Sequence, residues 1–493
     1  MLILCVLTCW WRGVPVPIIQ DEFSYLFAGE TFAAGRLANQ VPQQWEYFEQ
    51  IHVLMRPWYV SKYPPLQGMF LALGTLFNLP IAGVWLNAVF AAMAVYWMLT
   101  AVVPPSFAGL SAMVVMVQPL VLSWTQCYWG GLPGLLGGSL AVGGLLRIGS
   151  SGRGSRKHVA VSLFGFILLG ICRPFEGVIL GISLFVASIG VDCEVTRRLL
   201  EAFWRHRLIV ILFALSFLFL SGWYNVWTTG AYTLAPYLLY ELTYLPSPPF
   251  LWQSERLVTA SSNHIIARFC YGWSLDIYRS ESTWAGYWAM LGERLMLLRR
   301  ELVRCFAALF PVMFAYWEGR VDRATRWIVL ALCICSLSFT VTTWFNIHYI
   351  APFLPLVIVL CGKGLAAMHA RWRWSVGVIL LASCVAAARW VIAPLPEAAA
   401  IMQKRASIEC DLTRRGGKHL IVVQDSPTLN PNTDWVYNHP DHNRAVIVWV
   451  RDRGESTVPC SLFPDRTVWT VMPDINAVPQ LVDCGGRSST PSV

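Results

Sequence analysis

Two carboxylates stand side by side at Asp21-Glu22, where the first apolar run, Met1–Trp11, gives way to polar sequence. An acidic pair at a membrane boundary is costly and marks a functional candidate. Such a carboxylate can take a proton from an acceptor hydroxyl or amine, or hold a divalent cation through oxygen. Its plainer role is capping: Asp21 fits the start of a helix over Phe23–Gly35, whose dipole favours an acid. A cation closes the same loop in Ser61-Lys62-Tyr63-Pro64-Pro65. Lys62 and Tyr63 can bind a phosphate; otherwise they anchor the interface ahead of a Pro-started helix. A second charged corner is Arg173-Pro174-Phe175-Glu176. The run before it, Val159–Cys172, covers about 21 Å at about 1.5 Å per residue, short of a hydrocarbon core of about 30 Å. The corner is therefore expected below the outer surface, where Arg173 and Glu176 pair with each other or Arg173 stabilises phosphate charge. Tyr128-Trp129-Gly130-Gly131 and His348-Tyr349 are expected to line the same cavity, glycine allowing close helix approach. A lone histidine such as His348 is more often structural.

These residues need a membrane scaffold, and the composition supplies one. The chain has 493 residues, 56% of them hydrophobic and 13% charged, and a mean hydropathy of +0.53. That is a polytopic α-helical membrane protein. Beyond the first run, spans are expected at Ala82–Thr100, Phe107–Leu122, Gly130–Leu146, Val159–Cys172, Gly177–Val191, Leu208–Trp227, Val303–Trp317, Trp327–Phe345, Pro352–Met368 and Trp374–Ala393. Four linkers are basic: Arg147/Arg153/Arg156/Lys157, Arg197/Arg198/Arg205/Arg207, Arg320/Arg323/Arg326 and Lys363/Arg371/Arg373. Alternate crossing puts all four on one side, which the positive-inside rule makes cytoplasmic. The net charge of +9 is thus spent on orientation and gives no case for nucleic acid. About 11 spans follow, with the C-terminus outside and every motif above on the outer face.

The loop 19–65 forms the floor of the expected site. Within it, Phe23–Gly35 and Gln43–Leu54 read as interfacial amphipathic helices, and Leu66–Phe77 as a helix dipping in from outside. A longer outer loop covers 228–302, with a Tyr/Pro-rich start (Tyr232, Pro236, Tyr237, Tyr240, Tyr244, Pro246). Its end, Trp284–Leu302, reads as an interfacial helix whose Arg294, Arg299 and Arg300 hold phosphate or lipid headgroups. The division is a membrane domain over 1–393 and a small extracytoplasmic α/β domain over 394–493. In the latter, Glu397–Leu412 reads as helix, and His419–Val423, Ala445–Val450 and Val468–Met472 as strands. Cys410, Cys460 and Cys484 allow one disulfide and leave one thiol. Met1–Trp11 covers only about 16 Å and lacks basic flanks, so the true start is expected upstream.

Asp21-Glu22-Phe23-Ser24-Tyr25, Ser61-Lys62-Tyr63-Pro64-Pro65, Tyr128-Trp129-Gly130-Gly131 and Arg173-Pro174-Phe175-Glu176-Gly177 together resemble the GT-C superfamily of membrane glycosyltransferases. Protein O-mannosyltransferases and the aminoarabinose transferase of lipid A belong to it, and the likeness here is to a bacterial branch. The resemblance implies sugar transfer from a polyprenyl-phosphate donor to a lipid, glycan or protein on the outer face of the cytoplasmic membrane. By it, Asp21 matches the acidic position that activates the acceptor, with Glu22 supporting, and Lys62 the position near the lipid phosphate. One departure is Gln126: no acid lies between Ser123 and Trp129, where several members carry one. That leaves a divalent metal and the acceptor type open. Two other classes compete. A transporter or lipid flippase would show inverted repeats and mid-membrane charges, and neither is visible. A non-catalytic assembly protein would work through its tail and dispense with Asp21.

Overall fold

The computed structural model describes all residues except 151–154, 305–312, 315–321, 425–429, 455–462, 474–475 and 483–493. The expected span Val303–Trp317 falls mostly outside the described residues, as do Cys460 and Cys484. Helices α1 (Leu2–Arg12), α2 (Gln20–Ala33), α3 (Pro65–Thr75), α4 (Pro80–Leu99), α5 (Pro105–Met116) and α6 (Pro119–Trp124) open the chain. Next come α7 (Gly131–Ser150), α8 (Arg156–Gly170), α9 (Pro174–Val191), α10 (Cys193–Arg205), α11 (Arg207–Thr229) and α12 (Pro236–Tyr244). Short helices α13 (His264–Ala267) and α14 (Leu275–Glu281) flank a π-helical stretch, Arg268–Ser274. Then follow α15 (Trp284–Arg304), α16 (Arg323–Leu337), α17 (Leu354–Arg371), α18 (Ser375–Ile392) and α19 (Glu397–Arg415).

Apolar segments form helices here because backbone groups in lipid must bond within the segment. Proline opens α3, α4, α5, α6, α9 and α12, at a position where no N–H is needed. Among the described residues, seven helices are long and apolar enough to cross a membrane: α4, α7, α9, α11, α16 with its 3-10 extension, α17 and α18. The 15-residue α8 is shorter and packs closely on α7. A Cβ at Gly165 would lie 2.4 Å from the Ala141 nitrogen and 2.6 Å from the Gly137 carbonyl oxygen, so only glycine permits that approach.

Several expectations are corrected. Helix α2 begins at Gln20 and its N-cap is Ile19; both carboxylates sit inside the first turn, and Asp21 is not the cap. Gln43–Leu54 is not a helix. It holds one 3-10 turn, Trp45–Tyr47, and the strand β1 (Val53–Leu54), paired antiparallel with β2 (Val60–Ser61). Gln44 and His52 have φ of 53° and 68°, which no helix accommodates. Glu49, Gln50 and Ile51 are buried under other elements, so this segment does not lie open in the interface. Phe107–Leu122 breaks into α5 and α6 because Pro119 has no N–H to continue the ladder. The basic linker around Arg197 is itself the amphipathic helix α10, with Trp204 and Leu200 exposed. Arg294 is not part of an open anion cluster. It is buried, pairs with Glu281 at 3.2 Å and donates to the Phe339 and Thr343 carbonyls.

In the C-terminal segment, α19 precedes a sheet ordered β4-β3-β5-β6, with β3 at His419–Val423, β4 at Ile447–Arg451, β5 at Thr467–Met472 and β6 at Asn476–Leu481. β3 pairs parallel with both β4 and β5, and β6 closes antiparallel. Every residue of β3 is buried because both faces are covered. Leu420 and Val422 face Phe27, Phe48, Val53, Met55 and Tyr59 of the first loop. Ile421 and Val423 face Met402, Ile408 and Leu412 of α19 together with Trp435 and Trp449. The sheet and the loop 19–65 therefore share one core. Gln20 adds a bond at 2.6 Å to the backbone of Asp434, whose carboxylate pairs with the buried Arg451 at 2.6 Å.

Candidate active site

The first turn of α2 separates its two acids. Glu22 is 1% exposed. One of its oxygens accepts the Ile18 N–H at 2.7 Å and the other the Tyr128 N–H at 2.8 Å. Gln67 on α3 holds the Tyr128 carbonyl at 2.8 Å, so Glu22 and Gln67 together fix the turn that carries Trp129. Burial pushes the Glu22 carboxyl up to about 7, against the pull of those N–H groups. Asp21 keeps 23% of its side chain exposed. The Tyr63 hydroxyl donates to it, and His52 Nε2 stands 3.5 Å from its other oxygen. Burial alone would raise Asp21; His52, Tyr63 and Lys62 more than offset it and hold the carboxyl well below the usual range.

Lys62 follows β2, and its backbone N–H donates to the His52 carbonyl at 3.1 Å. Its ammonium lies 4.7 Å from the Tyr240 ring, 5.1 Å from Tyr237 and 5.2 Å from Tyr63, a cation–π cage. Among the described residues no carboxylate makes a contact ion pair with it. Burial lowers its pKa, opposed by the more distant Glu241 and Asp21. Arg173 is the N-cap of α9 and sits 4.6 Å from the Tyr349 ring. Its Nε is buried without a hydrogen-bond partner. Glu176 is buried one turn on, but no contact ion pair joins it to Arg173 among the described residues. Leu66 N–H bonds to the Ile171 carbonyl at 3.1 Å, stapling the end of the Lys62 loop to the Arg173 corner.

Rings join the two halves. Tyr25 stacks on Tyr63 at 4.3 Å and lies within electrostatic reach of Arg173. Tyr237 lies beside Lys62 and also feels Arg173. Trp129 meets His348 edge-on at 4.4 Å, and His348 meets Tyr349 at 4.8 Å. Burial and Arg173 push His348 well below its usual pKa, which favours the uncharged imidazole. Tyr128 turns its hydroxyl to the Pro15 carbonyl at 2.9 Å; it contributes backbone to the site rather than a ring. The sequence reading missed His52, Tyr25 and Glu241 and gave Tyr237 and Tyr240 no place in the site. The Tyr/Pro-rich start of the long loop was the one visible signal for α12. His52 had none, lying in a stretch read as helix.

For a divalent metal, the residues near Asp21 offer little. Among the described residues no group of three His, Cys, Asp or Glu could hold one ion. Glu22 has both oxygens committed to backbone donors, which leaves Asp21 and His52.

No family model matches the chain, and no curated protein matches it by sequence. Solved structures do. ArnT from Cupriavidus metallidurans bound to undecaprenyl phosphate is 14% identical over 96% of this chain and 91% of that one, with a TM-score of 0.52. ArnT from the same organism in the apo state gives 13%, 96%, 92% and 0.50. The Archaeoglobus fulgidus oligosaccharyltransferase in complex with Zn and sulfate gives 12% identity, 95% of this chain, 67% of that one and a TM-score of 0.49. These likenesses show the fold, which is that of ArnT over nearly the whole of both chains, in line with the resemblance of the sequence motifs to GT-C enzymes.

Proposed function

We propose that this protein transfers a sugar from a polyprenyl-phosphate donor to a lipid, glycan or protein acceptor at the outer face of the bacterial cytoplasmic membrane. The observation that carries the reading is one ionised, partly open carboxylate, Asp21, set in the same ring-lined cluster as two cations. Lys62 and Arg173 both lack a contact counter-ion among the described residues. Burying two cations unpaired is expensive, and a phosphate between them would relieve that. In the reaction, the acceptor oxygen or nitrogen bonds to the sugar's anomeric carbon and its proton passes to Asp21. The bond from that carbon to the phosphate oxygen breaks, and the electron pair leaves on polyprenyl phosphate. Lys62 and Arg173 stabilise that charge, while the Tyr63 hydroxyl stays committed to Asp21 and its ring packs beside Lys62. In this reading the base and the leaving phosphate take opposite faces of the anomeric carbon, so that configuration inverts. Glu22 supports by fixing the turn at Tyr128-Trp129, and Trp129, Glu176, His348 and Tyr349 line the cavity. The full topology of about 11 spans and the division into membrane (1–393) and extracytoplasmic (394–493) parts belong to this reading.

The test is transfer of labelled sugar from a pool of polyprenyl-phosphate sugars to an envelope extract by purified protein. Asp21→Asn should lose transfer while still binding undecaprenyl phosphate. Retention of most transfer by that variant would overturn the assignment of the base.

A further inference from the structure

Resting on that reading of Asp21, we propose that His52 is the positioning residue of the site: a buried Asp–His pair in which the neutral imidazole donates from Nε2 and keeps the carboxylate aimed and ionised. Three independent features of the structure meet at this residue.

The first is backbone conformation. His52 has φ of 68°, in the left-handed region that a non-glycine residue enters at a cost. Such a conformation persists only when its surroundings over-determine it, and here they do. Its N–H donates to the Tyr240 hydroxyl at 3.1 Å. Its carbonyl accepts from Ser24 Oγ at 2.7 Å and from the Lys62 N–H at 3.1 Å. One strained residue thus ties together α2, which carries Asp21, α12, which carries Tyr237 and Tyr240, and Lys62 itself, just after β2.

The second is side-chain placement. The imidazole is enclosed by Phe269 at 5.1 Å, Tyr63 at 5.7 Å and Tyr240 at 5.8 Å, with 7% of its surface exposed. Its Nδ1 is buried without a hydrogen-bond partner. Among the described residues, the polar contact of the ring is Asp21, 3.5 Å from Nε2. That arrangement assigns the proton to Nε2.

The third is charge. The ionisable groups facing the imidazole are Asp21 from α2, Lys62 and Tyr63 from the end of the hairpin, and Tyr240 from α12; the π-helical stretch presents Phe269. Burial and the Lys62 cation together push His52 down to about 4, Asp21 opposing. A neutral donor can stabilise a carboxylate without neutralising the Lys62 side of the site. An imidazolium there would compete with Lys62 for the same charge.

Two substitutions separate the side chain from the backbone. Asparagine tolerates the left-handed conformation but places its amide near the Nδ1 position, short of Asp21. Glutamine reaches the Nε2 position. The readout is the titration of Asp21, taken as the protonated-carboxyl infrared band of the full chain in detergent after subtraction of the Asp21→Asn spectrum. The band should appear about one pH unit higher, or more, in His52→Asn than in wild type, and return towards wild type in His52→Gln. An unchanged midpoint in folded His52→Asn overturns the proposal and leaves His52 as a backbone device. Should His52→Asn fail to purify folded, linkage supplies the reciprocal test. The imidazole of His52, followed by nitrogen NMR, should titrate lower in Asp21→Asn than in wild type, and an unshifted imidazole overturns the pairing. Neither measurement needs sugar or acceptor, so failure here is distinct from failure of the transfer reading.

Discussion

Asp21 and Glu22 share one helical turn and differ in what surrounds them. Glu22 spends both oxygens on buried N–H groups, while Asp21 faces side chains and open space. Glu22→Ala should therefore be the destabilising change: two buried donors lose their acceptor at about 1–3 kcal/mol each, seen as a lower melting temperature. Asp21→Asn should cost less, because its amide oxygen can still accept from the Tyr63 hydroxyl and no buried donor is orphaned, although it forfeits the favourable ionisation of Asp21. Glu22 also predicts a pH slope. Its folded pKa, about 7, lies above its ordinary 4.5. Between those values the folded state keeps a proton that the unfolded chain has released, so stability falls as pH rises through that window. Melting temperature should drop from pH 5 to 7.5 by more in wild type than in Glu22→Ala; equal drops would contradict the burial of Glu22. The sequence singled out this acidic pair, but not which member is open. That is decided by Tyr128, 106 residues away in the chain.

At the scale of elements, the apolar helices were legible and the loop 19–65 was not. A run such as Ser375–Ile392 can only be a helix in lipid. Trp45, Tyr47, Phe48 and Val53 carry the same aromatic and apolar character that an interfacial helix would, yet they pack under the strands of residues 419–468. No local pattern announces a partner so far along the chain, and two left-handed residues, Gln44 and His52, break the helical period. The consequence is that the hairpin depends on the sheet. Phe27→Ala, at a fully buried position between Tyr59 and Leu420, should cost about 3–5 kcal/mol. It should also impair transfer, because the same core holds the loop that presents Lys62 and His52. A variant with normal melting behaviour would mean the loop is held some other way.

For the whole molecule, the proposed orientation rests on the basic linkers, and the proposed chemistry depends on it. Arg197, Arg198, Arg205 and Arg207 lie on or beside α10, and Lys363 and Arg371 on α17. On the proposed topology, Asp21, Lys62 and Arg173 come from the opposite set of connections. A reporter fused after Val493 should be active only outside the cytoplasm, and cytoplasmic activity would sink the topology. The C-terminal segment was legible as a helix and three strands, with Ile447–Arg451 two residues late at its start and one at its end, while β6 was not foreseen. Its packing against α2 was not, because buried contacts such as Gln20 with Asp434 leave no trace in a linear pattern.

The central claim is that Lys62 and Arg173 hold a lipid-linked phosphate opposite Asp21. Binding of undecaprenyl phosphate to purified protein, followed by tryptophan fluorescence, tests it without knowledge of the sugar. Wild type and Asp21→Asn should bind comparably, whereas Lys62→Met and Arg173→Met should each bind about tenfold more weakly or worse. Undiminished binding in both cation variants would contradict the account.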